Sequence, residues 1–371
     1  MAVVTAVLAG SCAKIQGPDD DGWTDLKGAQ HVTFTAGSPL LRDDATKAGA
    51  SLKTDFNQAS DDVGAASADN FYVFGAKTLS GTRYAEFIGE KVTLKSLGVD
   101  NNNPLDDIWE YTPLRYWDPN ASQYDFLAIS GPSSAPSSNP ANGNHVTANV
   151  TYDVTAGTPY DLLAAGSQRT NGSFDPVHFE FKHILSAVRV TIINDSPSIN
   201  VTVNSYGFRN ICYRATGTVE QSRNGLAAMG TSSWGTTSYT SSTILGHGTT
   251  PGTTVLADGG EFSMEAGKWD FMIPQDLAPY GDYTPQLMLD YEYDQENPYT
   301  LISEHNHPVF PIQLEQITVK NSDELISSWL PGKKYIYEIH IRLGGGVVVN
   351  VTVMDWEEVR AETPGLTIDD E

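Results

Sequence analysis

The sequence predicts an all-β fold in two tandem antiparallel sandwiches, on three observations. Short runs alternating apolar and polar side chains recur along most of the chain, with no helix-length pattern between them. Tyr, Phe, Thr, Ser, Asn and Gly are plentiful, and long runs of Leu, Glu, Lys or Ala are scarce, which favours strands and turns. A length of 371 residues exceeds one ordinary sandwich and suits two, each burying its own core.

Residues 13–28, rich in Gly, Pro and Asp, read as a tether, and residues 29–170 as the first domain. Ala29 to Ala36 gives its first strand, with Val32, Phe34 and Ala36 on one face. Gly37 to Ala68 lacks apolar periodicity and reads as a long exposed loop carrying Arg42 and Lys47. Strands follow at Phe71 to Lys77, Tyr84 to Leu94, Trp109 to Tyr111 and Tyr124 to Ser130. After a Ser/Pro/Asn loop, Val146 to Val154 and Tyr160 to Ala165 complete the unit. The polar, turn-rich stretch Gly166 to Pro176 marks the boundary.

The second domain, residues 171–356, opens on Val177 to Asn194 and Ile199 to Ser205. Short strands among loops are expected over Gly217 to Gly260, then strands at Lys268 to Pro274, Gln286 to Tyr293 and Pro308 to Ile317. The clearest element closes it. Tyr335, Tyr337, Ile339, Ile341 and Leu343 alternate with Ile336, Glu338, His340 and Arg342, and beyond a glycine triplet Val347, Val349, Val351 and Val353 repeat the pattern. Period two on both sides of glycine, which supplies positive φ angles, predicts a β-hairpin. Residues 357–371 form an acidic tail.

Acids outnumber bases 46 to 22, a formal net charge of -24, and no basic cluster interrupts the surface, which disfavours nucleic-acid binding. Two cysteines, Cys12 and Cys212, make no disulfide framework, and no apolar run is long enough for a spanning helix. The apolar opening before Cys12 resembles the end of a bacterial lipoprotein signal, so residues 1–12 are read as a signal remnant ending at a lipid-bearing Cys12. Asp19 to Asp21 behind it resembles an acidic surface-export tag, or a plain solvated linker.

Several constellations have a chemical and a plain reading. Asp290, Glu292, Asp294 and Glu296 share one strand face, as calcium ligands or as the solvated face of an edge strand. Beside Glu304, His305 and His307 would point the same way from a strand, but no third ligand is placed for a closed zinc site, and the segment reads as an exposed loop before Pro308. His183 reads as a packed or hydrogen-bonded histidine and Cys212 as a small buried hydrophobe. No nucleophile elbow, zincin helix, P-loop or dinucleotide fingerprint occurs, so neither an enzyme nor a cofactor is expected. Seven Trp and seventeen Tyr leave open a monomeric glycan-binding surface lipoprotein.

Eight segments in order carry a resemblance: Asn70-Phe-Tyr-Val-Phe-Gly75, Tyr111-Thr-Pro-Leu-Arg-Tyr-Trp117, Tyr124-Asp-Phe-Leu-Ala128, Tyr160-Asp-Leu-Leu-Ala164, Phe179-Glu-Phe-Lys-His-Ile-Leu-Ser-Ala-Val188, Phe271-Met-Ile-Pro-Gln275, Pro331-Gly-Lys-Lys-Tyr335 and Val351-Thr-Val-Met-Asp-Trp356. Together they resemble the fimbrillin family, the fimbrillin-like lipoproteins of Bacteroidales type V pili. The resemblance implies two transthyretin-like, Greek-key β-sandwich domains and an outer-membrane lipoprotein that serves in a fimbria as stalk, anchor or tip. It implies a protease cut in the loop after the first strand, mapped here to Arg42 with Lys47 second. A neighbour's terminal strand then fills the vacated groove, and Val347, Val349, Val351 and Val353 are the donor candidates. The partners expected are other fimbrial subunits, host or bacterial surface receptors, and the outer membrane through the lipid.

Overall fold

The computed structural model describes residues 30–37, 70–96, 108–155, 160–170, 173–221, 227–228, 234–239, 244–262, 269–296, 303–306, 309–342 and 346–355. Among them the regular structure is all strand apart from one 3₁₀ turn at Leu314–Gln316, with turns and loops between the strands. The all-β sandwich expectation holds.

A six-stranded antiparallel sheet organises the first half, in the order Lys182–His183, Leu163–Thr170, Gln123–Ser130, Asn70–Leu79, Thr82–Ser96, Ile108–Glu110. Its central strands are buried on both faces, from Phe71 to Ala76 and from Tyr124 to Ser130, because a layer covers each side. Phe71, Val73, Phe126 and Ala128 enter one core with Phe34 and Phe179. Tyr72, Phe74, Leu127 and Ile129 enter another, shared with Ala148, Val150 and much of the second half.

The strands exchange partners across the chain's midpoint. Thr147–Asp153 pairs with Cys212–Gln221, while Val177–Glu180 packs its Val177 and Phe179 into the core of the first half. The stretch predicted as a turn-rich boundary is strand as far as Thr170, since Gly166 to Thr170 completes the ladder with Gln123 to Leu127. Backbone pairing overrides a polar composition there.

The closing hairpin forms as predicted, as Lys333–Arg342 against Gly346–Asp355, with Tyr337 opposite Val351 and Ile341 opposite Val347. Tyr335, Tyr337, Ile339 and Ile341 are buried. Gly346 sits at φ +88°, the left-handed conformation expected of the turn. The hairpin's first strand runs parallel to Ser186–Asn194. Trp329, fully buried, donates its indole N–H to the Tyr337 hydroxyl at 2.9 Å and meets Phe208 edge-on. Phe208 belongs to the facing sheet of Ile244–Val255, Val201–Arg209, Gln286–Glu296 and Ser303–Asn306.

Gln286–Glu296 is not the edge strand expected. Val201–Arg209 pairs along one side, and Val309–Gln313 and Ser303–Asn306 along the other. Its acidic face is a face of an interior strand, so the carboxylates do not shield an open edge.

Candidate strand-exchange site

Phe34–Gly37 stands outside every large sheet. Among the described residues it pairs only with Val177–Glu180, in parallel, as a two-stranded ribbon lying over the large sheet. The residues before it are tied separately. The Val32 N–H donates to the Arg115 carbonyl at 2.8 Å and the Trp117 N–H donates to the Gln30 carbonyl at 3.0 Å. The predicted face is correct, with Val32, Phe34 and Ala36 at 0–2% exposure. Thr35 on the opposite face bonds the His178 ring, Oγ1 to Nδ1, at 3.0 Å.

Phe34 fills a pocket of five rings: Phe71 (6.5 Å between centroids), Phe87 (5.4 Å), Tyr111 (5.3 Å), Phe126 (6.1 Å) and a stacked Phe179 (5.7 Å). Edge-to-face and offset contacts at these distances suit the ring quadrupoles. Gly75 makes room for the floor of this pocket. A Cβ there would lie 3.0 Å from the Phe126 ring and 3.1 Å from the Phe87 ring.

The loop after Ile108–Glu110 supplies a latch. The buried Tyr111 hydroxyl donates to the Val32 carbonyl at 2.8 Å and accepts from the Arg115 N–H at 3.2 Å. Burial pushes the phenol pKa up to about 12, so it remains a donor at neutral pH. Arg115 is in turn held by Glu90, Nη2 to Oε1, at 2.9 Å. Sequence reading missed this latch, although Tyr111 and Arg115 both lie in the segment Tyr111 to Trp117 that carries the family resemblance. A tyrosine four residues before an arginine says nothing of the strand it will bond. Tyr111→Phe should lower stability by about 1–3 kcal/mol, the usual range for orphaning a buried carbonyl. Faster hydrogen exchange at Val32 and Arg115 would check it.

Gly346–Asp355 is the second feature of the site. One edge is fully paired in the hairpin, and among the described residues the other is covered only where Thr318–Val319 meets Asn350 and Val351. Val351 is fully buried, Val347 and Val349 are half-buried, and Val353 is 37% exposed. A hydrophobic strand with most of one edge unpaired is a template for another strand. Near the hairpin tip the Asp195 carboxylate accepts from Arg342 Nε at 3.1 Å and meets His340 Nδ1 at 3.0 Å. Burial raises its pKa, but Arg342 and His340 outweigh burial and hold it below 3.8. A depressed carboxylate pKa stabilises the fold above the ordinary value and loses that contribution as pH falls through the folded one. Thermal stability should therefore drop as pH falls below about 3.8, and less so in Asp195→Asn, measured as Tm against pH.

Cys12, Arg42, Lys47 and His307 lie outside the described residues. Asp290 is contacted by Asn204 Nδ2 at 3.3 Å, and among the described residues no group of three or more His, Cys, Asp or Glu is placed to hold a metal ion. Asp294 sits opposite His305 in register. His183 bonds Asp161, Nδ1 to Oδ2, at 2.5 Å. Cys212 is buried, and burial pushes its thiol up to about 11. Among the described residues every tryptophan is buried, and of the exposed tyrosines Tyr84 and Tyr280 only Tyr280 lies in a ring cluster, stacked on the half-buried Tyr239, which also stacks with Tyr283.

The profile of the fimbrillin-like family matches residues 57–356. No curated protein matches the chain. Among solved structures, a Bacteroides uniformis protein described as a candidate cell adhesion protein is 18% identical, with TM-score 0.41, over 89% of this chain and 99% of that one. A fimbrilin of Porphyromonas gingivalis is 8% identical, with TM-score 0.41, over 88% and 97%. The fimbrial anchor protein Mfa2 of the same organism is 9% identical, with TM-score 0.32, over 88% and 97%. With a single profile spanning the ring pocket, its latch and the closing hairpin, the chain belongs to the fimbrillin-like family.

Proposed function

We propose that the chain is a fimbrial subunit or pilus-associated adhesin, exported as an outer-membrane lipoprotein through Cys12 and assembled by strand complementation. Residues 29–170 and 171–356 are its two functional units, the groove being built by the first together with Val177–Glu180 of the second, and the second ending in the donor. The observation that carries this reading is the first strand itself: one aromatic plug in a ring pocket, held by a parallel ribbon and a latch and absent from every large sheet. Such a strand is detachable without unravelling the large sheet beside it.

Cleavage after Arg42, with Lys47 as a second site, would free it. The vacated groove offers backbone donors and acceptors plus alternate pockets, which an extended strand satisfies together. Val347, Val349, Val351 and Val353 are the donor face offered to a neighbour, and the acidic tail sets whether they are used. The partners are other fimbrial subunits and surface receptors, the place is the cell surface, and the role is structural and adhesive, not enzymatic.

Mass spectrometry of protein released from assembled fimbriae tests the cut. The expected mature chain begins at Asp43. An intact Arg42-Asp43 bond there contradicts it. A monomeric glycan-binding role draws on the exposed Tyr280 stack, and polysaccharide binding lost in Tyr280→Ala would move weight to it.

A further inference from the structure

The groove under the first strand has a size order, not just an apolar character. Its central pocket takes a whole phenyl ring, that of Phe34, between five other rings. The positions on either side take a β-branched Val32 and a small Ala36, both at 0% exposure. All three positions are closed to solvent, so an occupant of the wrong size leaves a void or forces a clash.

The closing strand of this same chain does not match that order. One face offers Val347, Val349, Val351 and Val353, and the other Val348, Asn350, Thr352 and Met354. In no register does an aromatic side chain of Gly346–Asp355 reach the central pocket. The neighbouring Trp356 would reach it only with Glu358 and Met354 in the two flanking positions, whichever way the strand runs. That places a carboxylate where Val32 or Ala36 is now fully buried, which is strongly unfavourable without a partner.

Resting on the strand-complementation reading above, we infer that the strand replacing the first one carries an aromatic side chain at its central inward position, flanked by a β-branched and a small residue. It therefore comes from a different subunit and not from a second copy of this chain. The chain accepts one kind of strand and offers another, so it joins two unlike neighbours.

The test uses the full chain after limited trypsin cleavage, incubated with three fluorescent peptides. One spans Gln30 to Gly37, the second is the same peptide with Phe34→Val, and the third spans Gly346 to Asp355. The first should bind. The other two should bind roughly 100-fold more weakly, as expected when a phenyl-sized void replaces packed atoms. On sizing, the cleaved chain alone should remain monomeric. Equal binding of the closing-strand peptide, or polymers formed from the cleaved chain alone, would overturn the inference and leave strand complementation standing. Failure of the Gln30 to Gly37 peptide to bind would overturn both.

Discussion

Phe34→Ala is expected to destabilise the protein by about 3–5 kcal/mol, the range for emptying a fully packed phenylalanine site. The ring is 2% exposed and its neighbours come from five separate segments, which cannot all move inward together. Against a total stability of roughly 5–15 kcal/mol, that is a large share of the margin. Urea denaturation read at two wavelengths gives the loss directly. A change below about 1 kcal/mol would mean that the first strand does not hold the core of the first half.

Asp125→Ala should cost a comparable amount, about 3–5 kcal/mol, because it removes the counter-charge of the largely buried Arg83 and the shared acceptor of several amides, leaving Arg83, among the described residues, only the Pro140 and Asn144 carbonyls. The Asp125 side chain is 2% exposed and accepts from Arg83 Nη1 at 2.5 Å. It also accepts from Gln123 Nε2 and Gln168 Nε2, both at 2.8 Å, and from Gln221 Nε2 at 3.4 Å. Gln221 lies on Cys212–Gln221, so one carboxylate ties the large sheet to the sheet beneath it. Replacing Arg83 as well, with Met in the double variant Arg83→Met and Asp125→Leu, should recover much of the loss, since a buried pair exchanged for packed apolar groups is often close to neutral. Equilibrium unfolding of the wild type, Arg83→Met, Asp125→Leu and the double variant, compared as a double-mutant cycle, measures the coupling.

What the sequence reveals here depends on how many faces of each strand are covered. The closing hairpin was legible because one face is buried and the other is not, so Tyr335, Tyr337, Ile339 and Ile341 alternate cleanly with Glu338 and Arg342. The same logic exposed Val32, Phe34 and Ala36. It weakens for Asn70–Leu79, where two layers erase the alternation. It fails for Gln286–Glu296, because carboxylates look alike on an edge and on the solvent face of an interior strand. What separates the two cases is pairing with residues far away in sequence.

The candidate site was half legible for the same reason. The plug could be read, whereas its pocket could not, since Phe71, Phe87, Tyr111, Phe126 and Phe179 meet only through the sheet order. The parallel pairing of Phe34–Gly37 with Val177–Glu180 has no local signature at all. Asp125 gave no sign that it is the buried centre of a network, because a lone acidic residue within an apolar strand reads as an interruption.

The claim that the first strand is a removable plug is tested most directly by hydrogen exchange on the intact chain and on the chain cleaved after Arg42. Once the plug is released, the amides of Val32 and its partners at 115–117 and 177–180 should lose protection. Those of Gln123–Ser130 and Lys333–Arg342 should keep it. Unchanged protection at 177–180 after cleavage, or loss across the whole large sheet, would contradict the account.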